Sequence, residues 1–419
     1  MTKGKTNKVW KNIVYSSLLT VANYLFPLIT FPYVSRVLGV DNIGACNFAD
    51  SIINYFVLFS MLGISTVGIR EISQSGRDPQ KLNQTFSRIF TINTITTAGA
   101  LIVLAVCIFT IPQLRENQHL MWIGALKLVS NFLLIEWLYK GLEEFKYITN
   151  RTVLVKLLYV AAVFLFIKSP EDTTTYYLLL TLMITANALI NIIHSRRYVS
   201  LSLTTKNTLP LFKVIFILGI YAFLTSMYTT FNVVYLGFET GDTQVGYYTT
   251  STKIYRMILA MFTAVTGVMM PRLSSLLSEG QYGKFRSLLR KSFLILFVIF
   301  IPVSAGMAIF APEIIHIIAG NGYEGAILPL RIIAPLLVII GIEQIVIIQG
   351  LMPMKKDKEV LTNSVAGAAV GIAANLIFVP RYGAAGAAIA WFAAECTVLI
   401  CALIFFRKAM KTIPQTDQN

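Results

Sequence analysis

The chain has 419 residues, of which 56% are hydrophobic and 13% charged, with 35 Lys and Arg against 20 Asp and Glu and a net charge of +15. Soluble domains carry about 25% charged residues, so this composition excludes a soluble enzyme, a disordered tail protein and a fibrous repeat. In a soluble chain the positive balance would point to nucleic acid; in a membrane chain the first question is where along the sequence the charges sit.

A helix that crosses a bilayer needs about 20 mostly apolar residues. Twelve stretches meet this, near 12–34, 45–67, 89–111, 119–138, 152–168, 176–195, 212–236, 246–270, 292–318, 326–352, 360–379 and 384–406. We number them spans 1 to 12. No gap between them exceeds about 25 residues, which leaves no room for a soluble catalytic domain. Span 1 follows Lys3, Lys5, Lys8 and Lys11. It is longer than a signal-peptide core and no A-x-A-like site follows it, so a retained helix is expected. Pro27 and Pro32 predict a double kink in span 1, and Pro302, Pro329 and Pro335 predict interruptions of spans 9 and 10. In span 11, Gly367 and Gly371 form a G-x-x-x-G face suited to close helix packing.

The basic residues sort by side. The N-terminal tail, the even-numbered loops and the C-terminus hold 26 of the 35 Lys and Arg, against four in the odd-numbered loops: Arg36, Arg115, Lys168 and Arg381. The odd loops carry acids instead, among them Asp41, Glu171, Asp172 and Glu239. This bias predicts both termini in the cytoplasm. It also accounts for most of the net charge without nucleic acid. The four cysteines lie in or beside apolar spans with no C-x-x-C pair, so free thiols are expected. No metal, nucleotide or hydrolase motif occurs, so no cofactor is expected.

A weak internal repeat has a spacing of about 202 residues. Leu38-Gly39 and Gly44 match Leu236-Gly237 and Gly246, and the segment around Arg70 matches the segment around Arg272. Six spans separate equivalent points, and six is even, so the halves share one orientation. The expected fold is all-α and polytopic. Two pseudo-symmetric six-helix lobes, 1–205 and 206–419, would surround a central cavity.

A charge at bilayer depth costs about 2.5–3.5 kcal/mol, so it needs a partner or a wet cavity. Five cations lie within the spans: Lys127, Lys156, Lys253, Arg256 and Arg331. Lys253 and Arg256 are three residues apart on one helix face. Together the five make candidate contacts for an anionic substrate, with Lys127 and Arg256 deepest. Each has an alternative role as half of an ion pair; Glu136 with Lys156 and Asp50 with Lys253 are at matching depths. Asp50, Glu136 and Glu343 are candidates for coupling or gating, with Arg36 and Arg70 at the span ends. Glu395, mid-way along span 12, is a weaker candidate for a transport role.

Four segments carry a resemblance to a known family. They are Phe31-Pro-Tyr-Val-Ser-Arg36-Val-Leu-Gly39 with Gly44 and Phe48-Ala-Asp50; Gly68-Ile-Arg70-Glu71-Ile-Ser with Arg77-Asp78; Glu136-Trp-Leu-Tyr-Lys140 running on to Thr149; and Gly320-Asn-Gly-Tyr323 with Leu330-Arg331-Ile-Ile-Ala-Pro335. On these the chain resembles the polysaccharide transporter family, the oligosaccharide-lipid flippases typified by O-antigen flippases. That family lies within the multidrug/oligosaccharidyl-lipid/polysaccharide superfamily. Many members have fourteen helices; twelve are expected here, the extra pair being absent at the C-terminus.

The resemblance implies a flippase in the bacterial inner membrane. It would move an undecaprenyl-pyrophosphate-linked oligosaccharide to the periplasmic leaflet by alternating access, with no enzymatic step. A proton or sodium counter-ion would be possible, and glycan polymerase and chain-length machinery would be partners. The competing expectation is an ion-coupled small-molecule antiporter of the multidrug and toxin extrusion type, which would favour acidic sites over five basic ones.

Overall fold

The computed structural model describes residues 3–76, 78–206 and 208–411. Arg77 of the second motif and the side chains of Lys3, Lys5, Lys8, Met270 and Pro271 lie outside what is described. The chain divides into two compact units, Met1–Phe223 and Leu224–Asn419. Every regular element among the described residues is helical.

The first unit opens with α1 (Lys3–Met61), followed by α2 (Ile64–Ser75) and α3 (Pro79–Thr110). Both expected kink prolines lie inside α1, yet the backbone leaves helical geometry elsewhere, at Gly39 (φ 79°, ψ 171°). Only glycine adopts that geometry without strain. It turns one 59-residue run into spans 1 and 2. α3 begins where Asp78 accepts hydrogen bonds from the backbone N–H groups of Gln80 and Lys81, with Pro79 in the first turn. Then come α4 (Pro112–Glu116), α5 (Gln118–Leu134), α6 (Glu136–Gly141), α7 (Phe145–Phe166) and α8 (Thr173–Ser195).

The second and third motif segments meet where α2 packs on α6. A Cβ on Gly68 would fall 2.8 Å from the Trp137 ring, so that position admits only hydrogen. Trp137 in turn stacks on Phe86 of α3, with centroids 5.4 Å apart. The next helix, α9 (Thr208–Thr240), contributes its first turns to the same unit. The Ile215 carbonyl accepts the Gly63 N–H at 3.1 Å.

The second unit continues with α10 (Asp242–Ser278), α11 (Tyr282–Ile309), α12 (Ala311–Ile318), α13 (Ile327–Ile333) and α14 (Leu336–Glu343). A π-helical stretch, Gln344–Leu351, precedes α15 (Asp357–Lys411). Pro302 lies inside α11 and Pro335 separates α13 from α14. α15 breaks at Gly383, dividing spans 11 and 12. A Cβ on Gly367 would strike Val398 across that break, so the G-x-x-x-G segment serves tight packing.

The repeat shows in the backbone. Gly241 (φ 83°, ψ −179°) stands 202 residues after Gly39 and has nearly the same conformation. Each turn is followed by a side chain that ties down a loop of its own unit. Asn42 donates to the Pro170 carbonyl at 3.1 Å, and Gln244 accepts from the Ala384 N–H at 2.9 Å. Gly39 therefore corresponds to Gly241. The Gly237 suggested by the dipeptide match lies within α9.

Eight stretches among the described residues are long and apolar enough to cross a membrane. Two of them, Val14–Ser75 and Lys358–Lys411, have 62 and 54 residues, more than twice what one crossing needs. With α9 and α10, the arrangement is consistent with twelve crossings. The outer faces are apolar: Ile102 is 66% exposed and Phe109 66%. Such surface would be a liability in water and is the expected lipid contact of a multi-pass membrane protein.

Candidate functional site

The ionisable residues of the first unit form two clusters. In the first, the ammonium of Lys127 (α5) lies 2.5 Å from Asp50 Oδ1 (α1) and donates to Asn54 Oδ1 at 3.0 Å. Asn54, one turn after Asp50, donates to its other oxygen at 3.1 Å, and the Tyr177 hydroxyl (α8) donates to Oδ1 at 3.3 Å. Gly124, one turn before Lys127, lies against Ile53 and lets α5 approach α1 closely. The expected partner of Asp50 was Lys253; the carboxylate is instead taken up by Lys127. The Lys127 side chain is 11% exposed and that of Asp50 35%, so the pair opens on its carboxylate side.

The second cluster surrounds Glu136. Ile135, fully buried between α5 and α6, adopts a left-handed conformation (φ 37°, ψ 34°). This costs a β-branched residue about 1–3 kcal/mol and redirects the chain just before Glu136. The Glu136 carboxylate binds Lys140 at 3.0 Å and Arg151 at 3.0 Å. Arg151 is 4% exposed and also donates to Asn191 and Thr152. The expected pair with Lys156 does not form. The Lys156 ammonium donates to Asn23 Oδ1 at 2.6 Å and sits 5.8 Å from the Phe26 ring centre. Arg151 and Lys156 stand five residues apart on α7, about 7.5 Å of helix rise, and the carboxylate goes to Arg151.

In the second unit Arg256 of α10 is exposed, and it forms no hydrogen bond or ion pair among the described residues. Lys253, one turn earlier, is half-buried. Arg331 of α13 is exposed and donates from Nε to the Ala308 carbonyl at 3.2 Å. Glu343 is 7% exposed, at the junction of α14 and the π-helical stretch. Its carboxyl is near enough to Glu395 for the two charges to interact, and Glu395 is 5% exposed and accepts from the Trp391 indole at 2.8 Å. Two ionised carboxylates buried near each other repel, so holding a proton or a cation there relieves the pair. Beyond it, Asn375 donates to Asn232 Oδ1 at 2.7 Å, and Asn232 donates to the Tyr248 hydroxyl at 3.0 Å.

The remaining two candidates lie apart from these clusters. Arg70 is exposed and pairs with its neighbour Glu71 at 2.9 Å, and Arg36 is exposed one turn before Gly39. The sequence reading missed Arg151, which it counted among the topology-setting loop cations. It also missed Asn54, although its spacing of four from Asp50 was a usable signal.

The comparisons with known proteins bear on the family and the fold. A family profile described as "Polysaccharide biosynthesis protein" matches residues 9–277. A protein of Escherichia coli K12 described as "Putative O-antigen transporter" is 27% identical over 410 residues, covering 96% of this chain and 98% of that protein. A protein of the same description from Shigella dysenteriae is 26% identical, with coverage of 96% and 100%. Among solved structures, the lipid II flippase MurJ in an inward closed conformation matches with TM-score 0.78 at 15% identity, over 96% of this chain and 88% of that one. An inward-facing MATE family multidrug transporter matches with TM-score 0.70 at 17% identity, over 96% and 100%. At those identities the structural likeness speaks for the fold.

Proposed function

The chain belongs to the polysaccharide biosynthesis protein family, and we propose that within it the protein flips an undecaprenyl-pyrophosphate-linked oligosaccharide from the cytoplasmic to the periplasmic leaflet of the bacterial inner membrane. The observation that carries this reading is Arg256, exposed and without hydrogen bond or ion pair among the described residues, part-way along a 37-residue helix. Hydrocarbon does not tolerate an unpaired guanidinium, so the side chain faces water. A guanidinium in a wet cavity suits a pyrophosphate through two parallel hydrogen bonds. Lys156, Lys253 and Arg331 add positive charge within the spans. Lys127 neutralises Asp50, which makes it a supporting residue rather than a free contact.

The glycan needs water and the lipid tail needs hydrocarbon. A cavity open to the bilayer accommodates both while the chain alternates its access between the two sides. No covalent step is required. With both termini in the cytoplasm, as the charge bias indicates, the substrate moves with the membrane potential, which favours outward anion movement by about 2.3 kcal/mol per charge per 100 mV. The buried pair of Glu343 and Glu395 is suited to exchange a proton or sodium ion. A polymerase and chain-length machinery would use the delivered unit.

The same acidic pair favours a second reading, an ion-coupled small-molecule antiporter. Reconstituted vesicles separate the two. The flippase reading expects translocation of the lipid-linked oligosaccharide and no gradient-driven efflux of an organic cation dye. Dye efflux without glycan-lipid movement would reverse the assignment.

A further inference from the structure

A cavity of about 630 Å³ opens in the first unit, where the start of α3 meets the segment after α8. Its polar walls are Gln80 and Asn83 on one side and Arg196, Arg197 and Ser200 on the other. The wall is fixed: the Ser200 N–H and hydroxyl both donate to Asn83 Oδ1, at 2.8 and 2.9 Å. That leaves the Asn83 amide nitrogen as a donor with no hydrogen-bond partner among the described residues. Arg196 and Arg197 are both exposed and form no hydrogen bond or ion pair among the described residues. The unused groups of the lining are therefore dominated by donors and two positive charges. The helix start adds little, because Asp78 already occupies the N–H groups of Gln80 and Lys81. Asp78 does not line the cavity and has Lys81 beside it at 3.9 Å.

The surroundings select the kind of anion. Leu201, which lines the cavity, is 41% exposed, and Leu203 and Leu209 just beyond are 63% and 65% exposed. Ile193, one turn before Arg197, is 65% exposed. A donor-lined cavity flanked by bare apolar surface fits an amphiphile, with its phosphate in the cavity and its acyl chains along the leucines. A free anion would leave that surface uncovered.

We infer that this cavity is a binding site for the headgroup of an anionic phospholipid, a bilayer lipid distinct from the transported one. Basic pockets at the membrane surface gain affinity for acidic lipids from each Lys or Arg they present. The inference does not depend on which substrate the protein moves.

The test uses the full-length protein in nanodiscs of phosphatidylcholine, titrated with a fluorescent phosphatidylglycerol. Arg196→Ala and Arg197→Ala should each weaken binding about five-fold, and the double variant about 25-fold. Lys284→Ala with Arg286→Ala removes equal charge from the second unit and should leave binding unchanged. Equal loss in that control would mean bulk attraction and would overturn the site. Two competitors distinguish the sources of phosphate. Inorganic phosphate at millimolar concentration should not displace the lipid. Undecaprenyl pyrophosphate should displace it no better than an equal amount of phosphatidylglycerol. Displacement by inorganic phosphate would make this a free-anion site, and preferential displacement by undecaprenyl pyrophosphate would assign it to the transported lipid; either overturns the inference. Both arginines are exposed and unbonded among the described residues, so the variants should fold, and unchanged thermal unfolding in phosphatidylcholine alone checks this.

Discussion

Lys127 holds the carboxylate of Asp50 at 2.5 Å and, through the same ammonium, the Asn54 amide oxygen at 3.0 Å. The three residues lie on two helices, α1 and α5, so the contact ties span 2 to span 4. Lys127→Met leaves Asp50 with Asn54 and Tyr177 alone. A half-open pair should cost between the ~1 kcal/mol of an exposed bridge and the ~3 kcal/mol of a buried one. Thermal unfolding in detergent measures this. The double variant Asp50→Asn with Lys127→Met should recover most of the loss, because no charge is then left uncompensated. Additive losses would show that the two residues act separately.

Arg151 uses one guanidinium to reach Glu136, Asn191 and Thr152. An ammonium cannot satisfy that fork. Arg151→Lys should therefore destabilise nearly as much as Arg151→Ala. The cost should be about 3 kcal/mol, the low end for breaking a buried pair, because Lys140 still holds Glu136. A fully stable Arg151→Lys protein would show that charge alone is what the site needs.

Gly68 and Trp137 make a steric prediction. Gly68→Ala places a methyl 2.8 Å from the indole and should cost about 1–3 kcal/mol by overpacking. Combining it with Trp137→Leu, which removes the ring, should cost less than the sum of the two single changes. The comparison of unfolding temperatures decides this.

Glu343 and Glu395 are the buried acids proposed for coupling. Glu343→Gln or Glu395→Gln should abolish stimulation of transport by an imposed proton or sodium gradient, while exchange without a gradient continues. Running each variant under each gradient identifies the ion as well. Gradient stimulation that survives in both variants would remove the pair from the coupling role.

The spans were legible because bilayer thickness imposes an apolar run of fixed length, and composition alone reports it. The repeat was legible, and its spacing of 202 residues recurs between Gly39 and Gly241; only the dipeptide match was out of register. The dipeptide Leu236-Gly237 looks like Leu38-Gly39, yet the turn lies at Gly241, because backbone conformation rather than local identity defines equivalence. Ion-pair partners were not legible, because the rotation of each helix about its axis is set by packing across several helices. Thus Glu136 and Lys156 face different neighbours, while Arg151, assigned to a loop by its position, lies buried on α7. The prolines of span 1 were read as kinks from their chemistry alone; α1 keeps helical geometry past both and breaks at Gly39.

In the proposed flippase, Arg256 faces water in order to hold a phosphate-bearing lipid. The most direct measurement is the initial rate at which purified protein in vesicles moves an undecaprenyl-pyrophosphate-linked oligosaccharide between leaflets. Losing hydrogen bonds to a charged group should lower the Arg256→Ala rate about ten-fold or more, with unfolding temperature unchanged and part of the rate kept in Arg256→Lys. A wild-type rate in Arg256→Ala would show that the guanidinium does not hold the transported lipid.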